Sequence, residues 1–222
     1  MTRPPDGRPA TMSHNRDMSF LRRIPPALLI LLSIAIIAFG LLHTFLTLTG
    51  QRPYDQPLFD EPLFAEMSRV AADGGLLYVD QWDHKPPVLF WILGTFIQVL
   101  GNQLLTIKVA TVAVNLVFVA VMATLAWSLT RSRLATWVMA VLAFGFATWQ
   151  GYLEGYNSVF IMATFSAGAM LAAVIARGRV PLLLLSGVLL AFSFFTKQVM
   201  FAEGFAALAF AAYAAPSQRR RA

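Results

Sequence analysis

The chain has 222 residues, 58% of them hydrophobic and only 13% charged, with a mean hydropathy of +0.65. That length would suit one or two soluble domains, but the composition excludes that class and describes a polytopic membrane protein. The formal charge of +6 is not a nucleic-acid footprint, because the basic residues fall in short clusters between apolar runs: Arg22-Arg23, Arg131/Arg133, Arg177/Arg179 and Arg219-Arg220-Arg221. With no cysteine there is no disulfide framework, thiolate nucleophile or cysteine metal site.

In chain order, residues 1–26 are polar and rich in Pro and Arg, and a disordered cytoplasmic tail is expected there; Met12 and Met18 are alternative starts. Ala27 to Leu48 follows as an apolar run long enough to span a bilayer core. It is too long for a signal-peptide core, and no small-x-small cleavage site follows. A retained first helix with its N-terminus in the cytoplasm is therefore expected. The first loop, 50–103, holds most of the acids: Asp55, Asp60, Glu61, Glu66, Asp73, Asp80 and Asp83.

Within that loop, Leu63, Phe64, Met67, Val70 and Ala71 recur at spacings of three and four. This predicts a short amphipathic helix that starts at Asp60 or Glu61, ends at Gly74-Gly75, and is able to lie on the membrane surface. Leu76–Val79 reads as extended. Pro86-Pro87 holds the segment before it in β or polyproline conformation and so directs Lys85. Val88–Gly101 is apolar but short for a span.

The remaining apolar runs are Leu104–Leu129, Leu134–Gln150, Ser158–Ala176, Val180–Phe195 and Met200–Ala215. If Val88–Gly101 does not cross, all four basic clusters lie on the cytoplasmic side, as the positive-inside rule requires. The expectation is thus an all-α membrane protein with about six transmembrane helices in 27–215, juxtamembrane helices in the first outer loop, and a basic cytoplasmic tail at 216–222. The turns carrying Glu154 and Lys197 then share the outer face with the acidic loop, although snorkelling at helix ends is the alternative for both, and an equal one for an isolated lysine such as Lys197.

Two roles stay open for Asp60-Glu61: a helix cap, or a general base whose carboxylate is raised by partial desolvation at the membrane surface. Asp80, Asp83, His84 and Lys85 form a second cluster. His84 beside Asp83 admits a divalent cation without a recognised metal spacing, and Lys85 in a stiff Pro-Pro context is suited to a phosphate oxygen, its alternative being a solvated loop lysine. Trp82, Phe90 and Trp91 fit an interfacial belt or a sugar platform. No P-loop, G-x-S-x-G or H-E-x-x-H is present.

The order of these pieces resembles a known family. An apolar first helix, Asp60-Glu61, a short helix ending Gly74-Gly75, Tyr78-x-Asp80, Asp83-His84-Lys85-Pro86-Pro87-x-x-x-Trp91, and Thr196-Lys197 after an apolar run are similar to the GT-C glycosyltransferases. The closest branch is the bacterial relatives of protein O-mannosyltransferases and of the lipid A aminoarabinose transferase, including sugar transferases of rhizobial lipopolysaccharide core.

The resemblance implies an inverting transfer of sugar from a polyprenyl-phosphate carrier to a hydroxyl of a glycan, lipid or protein. The reaction would take place outside the bacterial inner membrane and would need no nucleic acid. It implies Asp60 as base, with Glu61, Lys85, Glu154 and Lys197 around substrate or lipid phosphate, and in some relatives a divalent metal at His84, here with Asp83. Lys108 stands where the family typically has Arg. The chain is much shorter than is usual there, so an N-terminal portion of a longer enzyme is expected. The alternatives are a non-catalytic fragment and a transporter or flippase of lipid-linked glycans. A transporter would place charges midway along its spans, where this sequence has mainly Lys108 and Glu203.

Overall fold

The computed structural model describes residues 26–49 and 60–197, without the side chains of 26, 47–49 and 150–154. Seven helices occupy this stretch: α1 (Pro26–Thr49), α2 (Glu61–Ala72), α3 (Val88–Leu100), α4 (Leu104–Thr130), α5 (Arg133–Glu154), α6 (Ser158–Ala176) and α7 (Val180–Phe194). The all-α expectation holds; among the described residues the only extended pairing is an isolated bridge between Leu77 and Gln81. The run Met200–Ala215, the acid Glu203 and both tails lie outside the described residues.

Among the described residues, three helices are long and apolar enough to cross a membrane: Ala27–Leu46, Leu104–Thr130 and Ser158–Ala176. Val88–Leu100, Arg133–Trp149 and Val180–Phe194 are shorter apolar helices. The 13 residues of α3 reach about 20 Å, against a hydrocarbon core of about 30 Å. Outward-facing side chains are apolar too, with Ile30, Leu31, Leu41, Leu116, Leu142 and Leu184 all exposed. Such surfaces suit lipid, where helices satisfy their own backbone and need no polar coat.

Two hairpins form the body. α4 packs on α5, α6 on α7, the pairs meet through α4 and α6, and α1 lies against α5. Arg131 and Arg177 close α4 and α6 in left-handed conformation, so both basic turns sit at one end of the body. Between apolar helices in lipid there is little hydrophobic drive, and small polar groups supply specific contacts. Ser166 and Ser193 Oγ atoms are 2.8 Å apart, Ser193 also donates to Met162 O, and Ser186 donates to Ala169 O. Trp137 Nε1 donates to Ser33 Oγ at 3.2 Å and ties α5 to α1.

At the opposite end, α2 and α3 form a cap. The apolar face of α2 does not lie on the membrane surface as its periodicity allowed. Phe64 and Met67 are buried against Leu89, Phe90 and Leu93 of α3. The helices approach closely at Gly94, where a Cβ would stand 3.0 Å from Ser68 O. α3 thus offers α2 a dry partner, which is a stronger claim on that face than the interface is.

Candidate functional site

The site begins at the first residue before α2. Asp60 makes no side-chain capping bond, and Pro62 removes one of the N–H groups that a cap would serve. The capping role that the sequence left open is therefore unused. Its carboxylate turns instead to Lys85, with Oδ2 3.1 Å from Nζ. The two side chains differ in cover: Asp60 is 63% exposed and Lys85 only 14%. Phe64, one turn after Asp60, places its ring 4.4 Å from the same ammonium. The N-terminal end of α2 and the residue before it therefore supply the aromatic wall and the counter-charge.

Lys85 lies in an irregular segment whose backbone is held by side chains. Lys85 N–H donates to Asp83 Oδ1 at 3.2 Å, and Tyr78 O–H donates to Lys85 O at 2.7 Å. Leu76–Val79 is not extended, contrary to expectation. Asp80 Oδ2 accepts the Leu76 N–H at 2.7 Å, and Tyr78 N–H bonds to Gln81 O, closing a turn. Tyr78 sits at φ 69, a conformation uncommon for an aromatic residue. Burial, and then the nearby Asp83 charge, hold its phenol above the ordinary tyrosine range.

Asp83 is buried and Oδ1 also lies 3.0 Å from His84 Nδ1, while His84 is 73% exposed. Asp83 Oδ2 is buried with no hydrogen-bond partner among the described residues. For a cation this leaves His84 Nε2 and one buried oxygen, and no cluster of three potential ligands occurs among the described residues. That is fewer than the three protein ligands of a zinc site; a hard divalent cation takes one or two protein groups and completes its shell with water or a substrate phosphate.

Glu61 points into the fold. It is buried, and Oε1 accepts from Tyr156 N–H at 3.4 Å in the α5–α6 turn. Gly155 makes room for it: φ is +63, and a Cβ there would meet Oε1 at 2.6 Å. Tyr156 is itself buried and donates through its hydroxyl to Leu89 O at 3.0 Å. The geometry gives Glu61 the task of tethering the start of α2.

Glu154 is the last residue of α5, next to this tether; its side chain lies outside the described ones. Phe195 O accepts Val88 N–H at 3.2 Å, which seats the Thr196-Lys197 turn beside the start of α3. Lys197 is half-buried, while Lys108 lies partly buried in the second turn of α4. The acidic loop, the Glu154–Tyr156 turn and the Lys197 turn thus meet at one end of the body, away from Arg131 and Arg177.

Sequence reasoning missed Phe64 as a wall of the site, Gly155-Tyr156 as its anchor and Tyr78 as a partner of Lys85. A Gly-aromatic pair between two helices was the available signal for the second, while the other two depend on contacts that no spacing encodes. The profile of the dolichyl-phosphate-mannose-protein mannosyltransferase family matches residues 84–222, starting at the His84-Lys85-Pro86-Pro87 segment and running through Lys197. Comparison with curated proteins and with solved structures gives no match. The chain belongs to the dolichyl-phosphate-mannose-protein mannosyltransferase family, and so to the GT-C type of glycosyltransferase.

Proposed function

We propose that this protein transfers a sugar from a polyprenyl-phosphate carrier to an acceptor hydroxyl, inverting the anomeric carbon, on the outer face of a bacterial cytoplasmic membrane. The acceptor would be a cell-envelope glycan, lipopolysaccharide or protein. Residues 27–215 would form the transmembrane module, with 1–26 and 216–222 as cytoplasmic tails. The arginines at the end of the body opposite the site support this orientation by the positive-inside rule.

The observation that carries the reading is the Asp60–Lys85 pair, 3.1 Å apart across 25 residues of sequence. The donor brings an anionic phosphate, which competes with Asp60 for the Lys85 ammonium. Once that phosphate holds Lys85, Asp60 is released and takes the proton of the acceptor hydroxyl. The oxygen forms a bond to C1 from the side opposite the phosphate, and the C1–O bond breaks with its electron pair going to the phosphate. Lys85 stabilises the leaving polyprenyl phosphate by charge and hydrogen bonding. Lys197 and Glu154, at the rim, would contact the donor phosphate or acceptor, and Glu61 would keep Asp60 in place.

Membranes from cells expressing the chain, incubated with radiolabelled polyprenyl-phosphate mannose, provide the assay. Asp60→Asn is expected to lower transfer by about 10²–10⁴-fold while membrane insertion is unchanged. Wild-type transfer by Asp60→Asn overturns the assignment of the base.

A further inference from the structure

A lysine carries its charge on four flexible carbons, so the direction of its backbone decides where the ammonium can rest. Lys85 stands in a stretch without helix or strand, where no ladder fixes the peptide. Both of its backbone polar groups are nevertheless taken by side chains. Asp83 Oδ1 holds the N–H at 3.2 Å, and the Tyr78 hydroxyl holds the carbonyl at 2.7 Å. Backbone groups need some partner, but water at an exposed loop would serve.

Both partners are held at a cost. Tyr78 reaches Lys85 from a left-handed backbone, and such outliers persist where the surroundings over-determine them. Asp83 is buried with one oxygen unbonded among the described residues, an expensive way to close a turn. The turn itself is already closed by Asp80 on Leu76 N and by Gln81 O on Tyr78 N. Neither the Tyr78 hydroxyl nor the Asp83 carboxylate is required for that.

We infer that Tyr78 and Asp83 are positioning residues that clamp the Lys85 peptide from both sides and so aim its ammonium at the donor phosphate. This rests on the reading of Lys85 as the phosphate holder. Asp60 and Phe64 then define where the aimed ammonium waits, with the carboxylate on one side and the ring on another.

The test is equilibrium binding of radiolabelled farnesyl phosphate to the full chain in lipid nanodiscs, with farnesol as the phosphate-free control. Lys85→Ala is expected to weaken farnesyl phosphate binding by about tenfold or more, the loss of a charge-assisted contact. Tyr78→Phe, which keeps the ring, and Asp83→Ala are each expected to weaken it by about two- to tenfold. Neither adds a further loss when combined with Lys85→Ala, and farnesol binding does not change. A scaffold role would give the same loss in both backgrounds and with farnesol; that result overturns the clamp. So does wild-type binding by Tyr78→Phe when Lys85→Ala is weak, which leaves the phosphate holder standing. Wild-type binding by Lys85→Ala overturns the holder, and the clamp with it. If Asp83→Ala does not fold, Tyr78→Phe alone decides the outcome.

Discussion

The tether beneath Asp60 is open to a two-residue test. Gly155 has φ +63, where adding a Cβ costs about 1 kcal/mol in backbone strain. The same Cβ would stand 2.6 Å from Glu61 Oε1 and 2.9 Å from Cδ, so the carboxylate must leave its place. Oε1 faces Tyr156 N–H at 3.4 Å. A well-formed charged hydrogen bond contributes about 1.5–3 kcal/mol, and this long one is set near the lower end. Gly155→Ala should therefore cost about 2–3 kcal/mol in the native background. In a Glu61→Ala background only the backbone strain of about 1 kcal/mol should remain. Equilibrium unfolding in mixed detergent micelles measures both, and transfer should fall with Gly155→Ala because Asp60 precedes the displaced residue. Equal costs in the two backgrounds would refute the tether.

Two smaller predictions concern charge. Burial holds the Tyr156 phenol far above its ordinary value of 10.0, so the folded state keeps a proton that the unfolded chain releases. Its contribution is complete below about pH 10 and is lost at about 1.4 kcal/mol per pH unit as the pH rises above that. Tyr156→Phe should make the alkaline slope shallower by that amount, leaving the part due to Tyr78, and parallel curves for the two proteins would contradict it. Arg69 bonds Glu66 at 2.6 Å and Asp73 at 3.3 Å on the outside of α2. The Arg69 hydrogen bond, opposed by slight burial and aided by its charge, lowers the Glu66 carboxyl. These side chains are 42–65% exposed, so solvent screens the pairs and Arg69→Ala should leave the unfolding midpoint unchanged; a large drop would show a buried task for Arg69.

Much of the fold was legible because lipid imposes a length on its helices. The apolar runs at Leu104 and Ser158 are helices almost to the residue, and the shortness of Val88–Gly101 marked it apart from the long spans. The period in Leu63–Ala71 located α2, yet periodicity names a face and not what covers it; α3 covers it. Leu76–Val79 has strand-like residues, but Asp80 bonds back to Leu76 N and makes a turn. In the site, residue types singled out Asp60 and Lys85 separately. Their pairing depends on where α2 docks, which Glu61, Gly155 and Tyr156 decide at 94–95 residues' remove. A single sequence carries no such distance.

That docking also explains why the Asp60 carboxylate and the Lys85 ammonium are joined. Lys85 is mostly covered, against the Phe64 ring and near apolar helices. An ammonium there needs a counter-charge, since desolvating a lone ion is far costlier than pairing it. Asp60 supplies the charge while keeping most of its own surface in water, so its side of the pair is weakly held. In the proposed reaction a donor phosphate replaces one anion by another, and the covered lysine is never left alone. The carboxylate moves into solvent at little cost and becomes available to the acceptor proton. Base and leaving-group holder would then be engaged together, only when the donor is bound, and the asymmetry of exposure between Asp60 and Lys85 sets the direction of the exchange.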